Sequence, residues 1–268
     1  MDRKKEVISK MENQEWSFDT LFPDFNSSLT LQSNKNYTTS KCADYYLKIE
    51  DDIIFKEKSE KPPYLITKKN TCDFWTKSLE KISSFKDKLI LIDHNSEYVE
   101  LISSSLDRIR KYSPEIFDYL TKYVPFIIVV EKNEAYSLST PHLFGAIIIS
   151  ESLFFSNEDI DITIVHELAH QELFLVNLVD SLIDEKFLSN LEYSPFQNKE
   201  RPPMGRLHAS HALFRMTEYS FNSNNQSFQK IKHDFGEMIK ALNDYELSDM
   251  GSEMLKTYKT FYNNVYKK

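Results

Sequence analysis

The rhythm of apolar and polar positions is uneven over the first part of the chain and strong after it. Residues 1–40 are polar and partly Ser/Asn-rich (NSSLTLQSNKNYTTS), which predicts a helix or two and then a loose connection. In KPPYLIT, Pro62 and Pro63 bring no backbone N–H to a ladder, so an extended or edge segment is expected there. DKLILID (87–93) reads as a short buried strand. Tyr98, Leu101, Leu106 and Ile109 then return at helical spacing over 96–111.

Beyond residue 120 the pattern changes. PFIIVVE (125–131) and FGAIIIS (144–150) are continuous runs rich in branched residues, as expected of two neighbouring strands, separated by a loop containing Pro141. Ser156 followed by Asp159 reads as a capping box, so a helix should begin near 157. Ile162, Val165, Leu168, Ala169, Leu173, Val176 and Leu182 keep a broad apolar face after it. YSPFQNKERPPMGR predicts a proline-rich turn region, and helices are expected over 207–221, 225–243 and 247–265. The expected fold is α+β and mostly helical, with no internal repeat and a soft division near 120.

Composition narrows the function classes. At 268 residues the chain suits one large domain or two modest ones. A formal charge of −8 argues against a general nucleic-acid binder, which needs a basic surface. With four glycines and neither phosphate-binding pattern, Gly-rich phosphate loops are excluded. MDRKKEVISKMENQEW lacks the apolar run of a secretory signal, and no stretch approaches the ~20 apolar residues of a membrane helix. Cys42 and Cys72 then read as reduced thiols, and the expectation is a cytoplasmic protein with neither membrane nor nucleic-acid partners.

The chemistry lies in ITIVHELAHQELF (162–174). His166 and His170 are four residues apart, so on a helix both imidazoles share a face, one turn apart. With Glu167 they form H-E-x-x-H, the pattern of zinc peptidases in which the glutamate is general base toward a metal-bound water. Two histidines and a glutamate inside an apolar helix are expensive unless paired or bound to metal, so a metal site is expected. A third protein ligand is normally needed. His208 and His211, spaced i, i+3, are favoured over Glu218; Glu172 and Glu185 are on the first helix itself, where reaching the same metal is awkward for Glu185; His94, His142 and His233 have no partner at ligand spacing. Arg201 and Arg206 lie close in sequence to His208, and a guanidinium grips a carboxylate through two parallel hydrogen bonds.

HELAHQELFLVNLVDSL followed by YSPF…RPPMGRLHASHALFRM resembles the HExxH-motif peptide-modification proteins of ribosomal-peptide natural product pathways, over about residues 160–220. The matching residues are His166, Glu167, His170, Arg201, Pro202, Gly205 and His208; LHAS stands where LHG is common, and KERPP replaces part of the usual Asp-Pro step. The resemblance implies an iron(II) enzyme using 2-oxoglutarate and O₂ to hydroxylate a precursor-peptide side chain, typically at Cβ. It implies His166, His170 and His208 as iron ligands and Arg201 as first candidate for the distal carboxylate of 2-oxoglutarate, with Arg206 the alternative. Glu167 would then orient a histidine or bound water.

Two other readings stand beside it: a zinc metallopeptidase with Glu167 as general base, and a peptide-binding scaffold whose structural metal sits in a closed four-ligand site using both His208 and His211. In local arrangement the expectation is short strands next to a central buried H-E-x-x-H helix, zincin-like. Residues 1–120 would be an N-terminal α/β region of unclear role and 121–268 the metal-binding catalytic region.

Overall fold

The structure, a computed structural model, describes residues 16–17, 36–37, 63–71, 73–83, 89–132, 134, 136–140, 143–155, 159–179, 182–183, 192–194, 199–201, 203–243 and 245–266. Most of the readings for residues 1–62, together with Cys42, Cys72, Pro141, His142, Ser156 and Glu185, fall outside them. The described residues are mostly helical with a small mixed sheet, and none of their helices is long and apolar enough to cross a membrane. By contacts the chain divides into Gln14–Gln171 and a second unit containing Glu172–Lys268.

The first unit contains a short antiparallel pair, β1 (Trp16–Ser17) with β2 (Asn36–Tyr37), and then its main sheet. The order of elements is β3 (Tyr64–Ile66), α1 (Asp73–Ser83), β4 (Ile90–Leu91), α2 (Ser96–Tyr112), α3 (Pro114–Tyr123), β5 (Phe126–Glu131), β6 (Ser137–Leu138) and β7 (Ala146–Ser150). β5 is central. It pairs in parallel with β7 on one side, Phe126 opposite Ala146 through Val130 opposite Ser150. Its other side takes β3 in parallel at residues 126–128 and β4 antiparallel at 130–131. β6 closes the far edge, antiparallel to β7.

Alternation along β5 explains its continuous run. Phe126, Ile128 and Val130 join Trp75 and Leu79 of α1 in one core, while Ile127 and Val129, pointing the other way, are fully buried too. A strand covered on both faces needs apolar residues at every position, which is why the run does not alternate. β3, following the two prolines, is the edge strand expected of it.

Helix α4 (Ile160–Val179) follows. It begins three residues later than the capping box suggested, because Asp159 itself is the cap: its Oδ1 accepts from the Asp161 N–H at 2.9 Å. Asp161, buried in the first turn, is gripped by Arg108 of α2 through two hydrogen bonds of 2.7 Å. Further along, the fully buried Gln171 side chain bridges the start of β7, accepting from the Gly145 N–H and donating to the Ala146 carbonyl, each at 3.0 Å. Gly145 has φ +86°, a conformation side chains disfavour, and this turn presents both groups to the amide.

The second unit contains β8 (Glu192–Ser194) and β9 (Lys199–Arg201), an antiparallel pair within the segment read as a turn region. The segment has too many prolines and polar residues to show a strand pattern, and each strand is three residues long. Then come α5 (Pro203–Asn222), α6 (Phe228–Leu242) and α7 (Asp249–Tyr266), close to the expected spans. Phe214, Phe235, Tyr258 and Phe261 form an aromatic core between them, with ring centroids 5.1–6.4 Å apart. Leu182, expected on the apolar face of α4, lies beyond the helix at φ 62°. It is buried for another reason: α7 passes so close that a Cβ at Gly251 would strike its carbonyl oxygen.

Replacing Gln171 by Leu keeps volume but strands a buried N–H and a buried C=O. The expected loss is roughly 2–4 kcal/mol in denaturant unfolding, at the cost of leaving two such groups unpaired. Unchanged stability would show that the amide bridge does not anchor the helix.

Candidate metal centre

Burial along α4 separates the histidines from everything around them. Over residues 161–173 every side chain is buried except His166 and His170, which are half-buried. Helix geometry accounts for this. Glu167 and Gln171 are one turn apart on the face turned to the sheet, where Ser139 donates to the Glu167 carbonyl at 3.1 Å and Gln171 bridges to β7. His166 and His170 each precede one of these residues, about 100° round the helix, and so reach the edge of the buried surface.

The two imidazoles converge. Their Nε2 atoms are 3.0 Å apart, with ring planes at 83°. Bonds of about 2.1 Å from two imidazoles to one metal place their nitrogens roughly 3.0–3.4 Å apart, depending on the angle between them. The same contact serves as an N–H···N hydrogen bond when no metal is bound, so the pair fits a metal without requiring one. Beside it Glu167 is 2% exposed, and its Oε2 has no hydrogen-bond partner among the described residues. A buried carboxylate oxygen in that state is costly unless a proton donor or a cation attends it. Two imidazoles at this separation suit a divalent transition metal, with the carboxylate close by in sequence. Among the described residues no group of three or more His, Cys, Asp or Glu is already placed to hold one.

His208, His211, Glu218, Arg201 and Arg206 lie in the second unit. His208, on α5, packs its ring against that of Phe174 at 5.1 Å. Burial, with a smaller contribution from neighbouring His211, lowers its pKa to about 4 and keeps it neutral, the form that ligates metals. His211 is buried and engages both ring nitrogens: Nε2 lies 2.9 Å from Glu172 Oε2, and Nδ1 lies 2.8 Å from the Tyr258 hydroxyl. Glu218 accepts from Arg215 at 2.8 Å. Arg201 ends β9; Arg206 is buried, with its guanidinium over the ring of Tyr245 at 5.3 Å. His94 and His233 are exposed.

Sequence reasoning placed Glu172 on the first helix as a carboxylate near the histidines but did not foresee its partners. Glu172 receives two hydrogen bonds from Arg215, Nε to Oε2 at 2.9 Å and Nη2 to Oε1 at 3.0 Å, besides that of His211. Burial alone would raise its pKa, but Arg215 and then His211 outweigh it and bring the pKa down to about 2. One signal was present: Arg215 follows His211 by four residues and so shares its helix face. Tyr258, forty-seven residues from His211 in sequence, gave none. Comparison with protein-family models and with curated proteins finds no match to this chain.

The depressed His208 pKa makes acid sensitivity calculable. Between pH 6.5 and 4 the unfolded chain takes up a proton that folded His208 refuses, so stability falls as pH drops through that window. The shift corresponds to about 3 kcal/mol. Glu172 adds to the loss below about pH 4.5, its contribution fading as pH falls toward 2. Denaturant unfolding of the metal-free protein should show this slope, and His208→Gln should flatten it between pH 6.5 and 4. A variant with the full slope would refute the assignment.

Proposed function

We propose that this chain is a cytoplasmic iron(II)- and 2-oxoglutarate-dependent hydroxylase that modifies a side chain, at Cβ, of a ribosomally made precursor peptide. The observation that carries the metal reading is the convergence of the His166 and His170 Nε2 atoms, 3.0 Å apart and half-buried, beside the buried Glu167. The choice of reaction rests on the resemblance of residues 160–220 to the HExxH-motif peptide-modification proteins. On this reading His166, His170 and His208 hold the metal. Arg201 takes the distal carboxylate of 2-oxoglutarate through a bidentate pair, with Arg206 the alternative. The chemistry supplied there by bound iron(II) and 2-oxoglutarate is insertion of one oxygen atom of O₂ into a C–H bond, as 2-oxoglutarate is oxidised to succinate and CO₂.

The chain's own residues bind and orient. The neutral state of His208 leaves a nitrogen lone pair to give, with no proton to remove first. Glu167, held below the exposed edge of the histidine pair, supports a hydrogen bond to a histidine or to bound water. Short strands in the same chain as a largely buried helix carrying both histidines support a zincin-like reading of the local arrangement. An extended precursor peptide is suited to adding to such a sheet edge through backbone hydrogen bonds.

The orphan oxygen of Glu167 also favours a second reading, a zinc metallopeptidase in which this carboxylate is general base. A general base must touch the attacking water, and a side chain 2% exposed is better suited to orienting a neighbour. The two readings separate experimentally. Anaerobic addition of 2-oxoglutarate to the iron(II)-loaded protein should produce a weak visible charge-transfer band, lost in His170→Ala and in Arg201→Ala. Absence of the band from a protein that retains zinc through dialysis would replace the hydroxylase reading with the peptidase one.

A further inference from the structure

The arrangement around His211 bears on which residue of α5 serves the metal, and so rests on the metal reading above. Both Glu172 oxygens accept from the Arg215 guanidinium, at 2.9 and 3.0 Å, so this carboxylate faces His211 as an acceptor, and the His211 nitrogen 2.9 Å from it, Nε2, carries a proton. Nδ1 faces the Tyr258 hydroxyl at 2.8 Å, inside the aromatic core formed by Phe214 and Phe235. Burial raises the Tyr258 pKa well above the ordinary phenol value, so its hydroxyl keeps its proton to donate. Neither ring nitrogen of His211 has a lone pair to offer a metal without dismantling a buried contact. Glu218 is drawn toward Arg215, which also grips Glu172.

We propose that His211 is a positioning residue and not a ligand. Held between Glu172 in the second half of α4 and Tyr258 of α7, it fixes the rotation of α5, and with it His208, three residues earlier on the same face and packed on Phe174. Arg215 completes the clamp one turn further along. A rotation of α5 that freed His211 would break the Glu172 and Tyr258 contacts together. The clamp thus selects His208 from the two neighbouring histidines, and a closed structural site using both has no His211 nitrogen available to it.

The test has two parts. In the metal-free, full-length protein, ¹⁵N NMR of the histidine rings should show a protonated Nε2 at His211, its proton slow to exchange; an unprotonated Nε2 there overturns the clamp. Co(II) alone is then added and its visible ligand-field spectrum recorded. His208→Ala should lose binding by more than about a hundredfold, as for removal of a ligand. Tyr258→Phe keeps the ring and the Glu172–Arg215 pair; it should shift the band and weaken binding roughly tenfold, the low end for a ligand-supporting contact, besides the modest fall in melting temperature that one unpaired buried nitrogen costs. A merely structural contact would lower the melting temperature and leave the spectrum of the folded fraction unchanged. Intact binding in His208→Ala with loss in His211→Gln makes His211 the ligand and overturns the proposal. No Co(II) binding by the wild type overturns the metal reading and the ligand assignment with it, while the NMR result still decides whether the clamp exists.

Discussion

The carboxamide of Gln171 is the contact on which the histidine geometry depends. By satisfying the Gly145 N–H and the Ala146 carbonyl it does for α4 what a neighbouring strand would do for β7. A pair of directional bonds fixes both the height and the rotation of the helix, which apolar packing alone constrains weakly. Ser139 adds a third bond, one turn earlier, at the Glu167 carbonyl. Once that face is committed to the sheet, the positions preceding Glu167 and Gln171 are carried to the boundary of the core. Those positions are the histidines.

Glu172 plays the corresponding part in its own unit. A buried carboxylate is a liability unless its lone pairs are filled, and here a bidentate guanidinium and an imidazole fill them. The two successive residues are satisfied by different chemistry, a neutral amide bonded to backbone groups and an ion pair bonded to side chains. Between them they account for why a helix that is apolar on most sides carries polar residues at 171 and 172 at all.

Much of this was legible in the sequence, and the reasons are specific. β5 and β7 could be read because burial on both faces forces unbroken branched runs, and α2 because its apolar spacing is regular. β6 could not: it is two residues long, Ser137 and Leu138, and exists because β7 offers it an edge. The pairing of β8 with β9 was hidden because proline and polar residues in that segment mask any strand pattern. The helical spacing that places His166 and His170 together is a local property and so was visible. The isolation of the Glu167 oxygen and the capture of His211 by Tyr258 depend on elements distant in the chain. Glu172 entered the sequence reading only as a carboxylate near the histidines; its bonds to Arg215 and His211 required the fold.

The central claim is that imidazoles from the H-E-x-x-H helix, with His208, surround one iron. X-ray absorption spectroscopy of the iron(II)-loaded protein measures this most directly, because imidazole rings scatter in a pattern that other nitrogen and oxygen ligands do not produce. The account predicts three imidazoles in the first coordination sphere, reduced to two in His208→Ala. A spectrum with no imidazole scattering, or one unchanged by loss of His170, would contradict it.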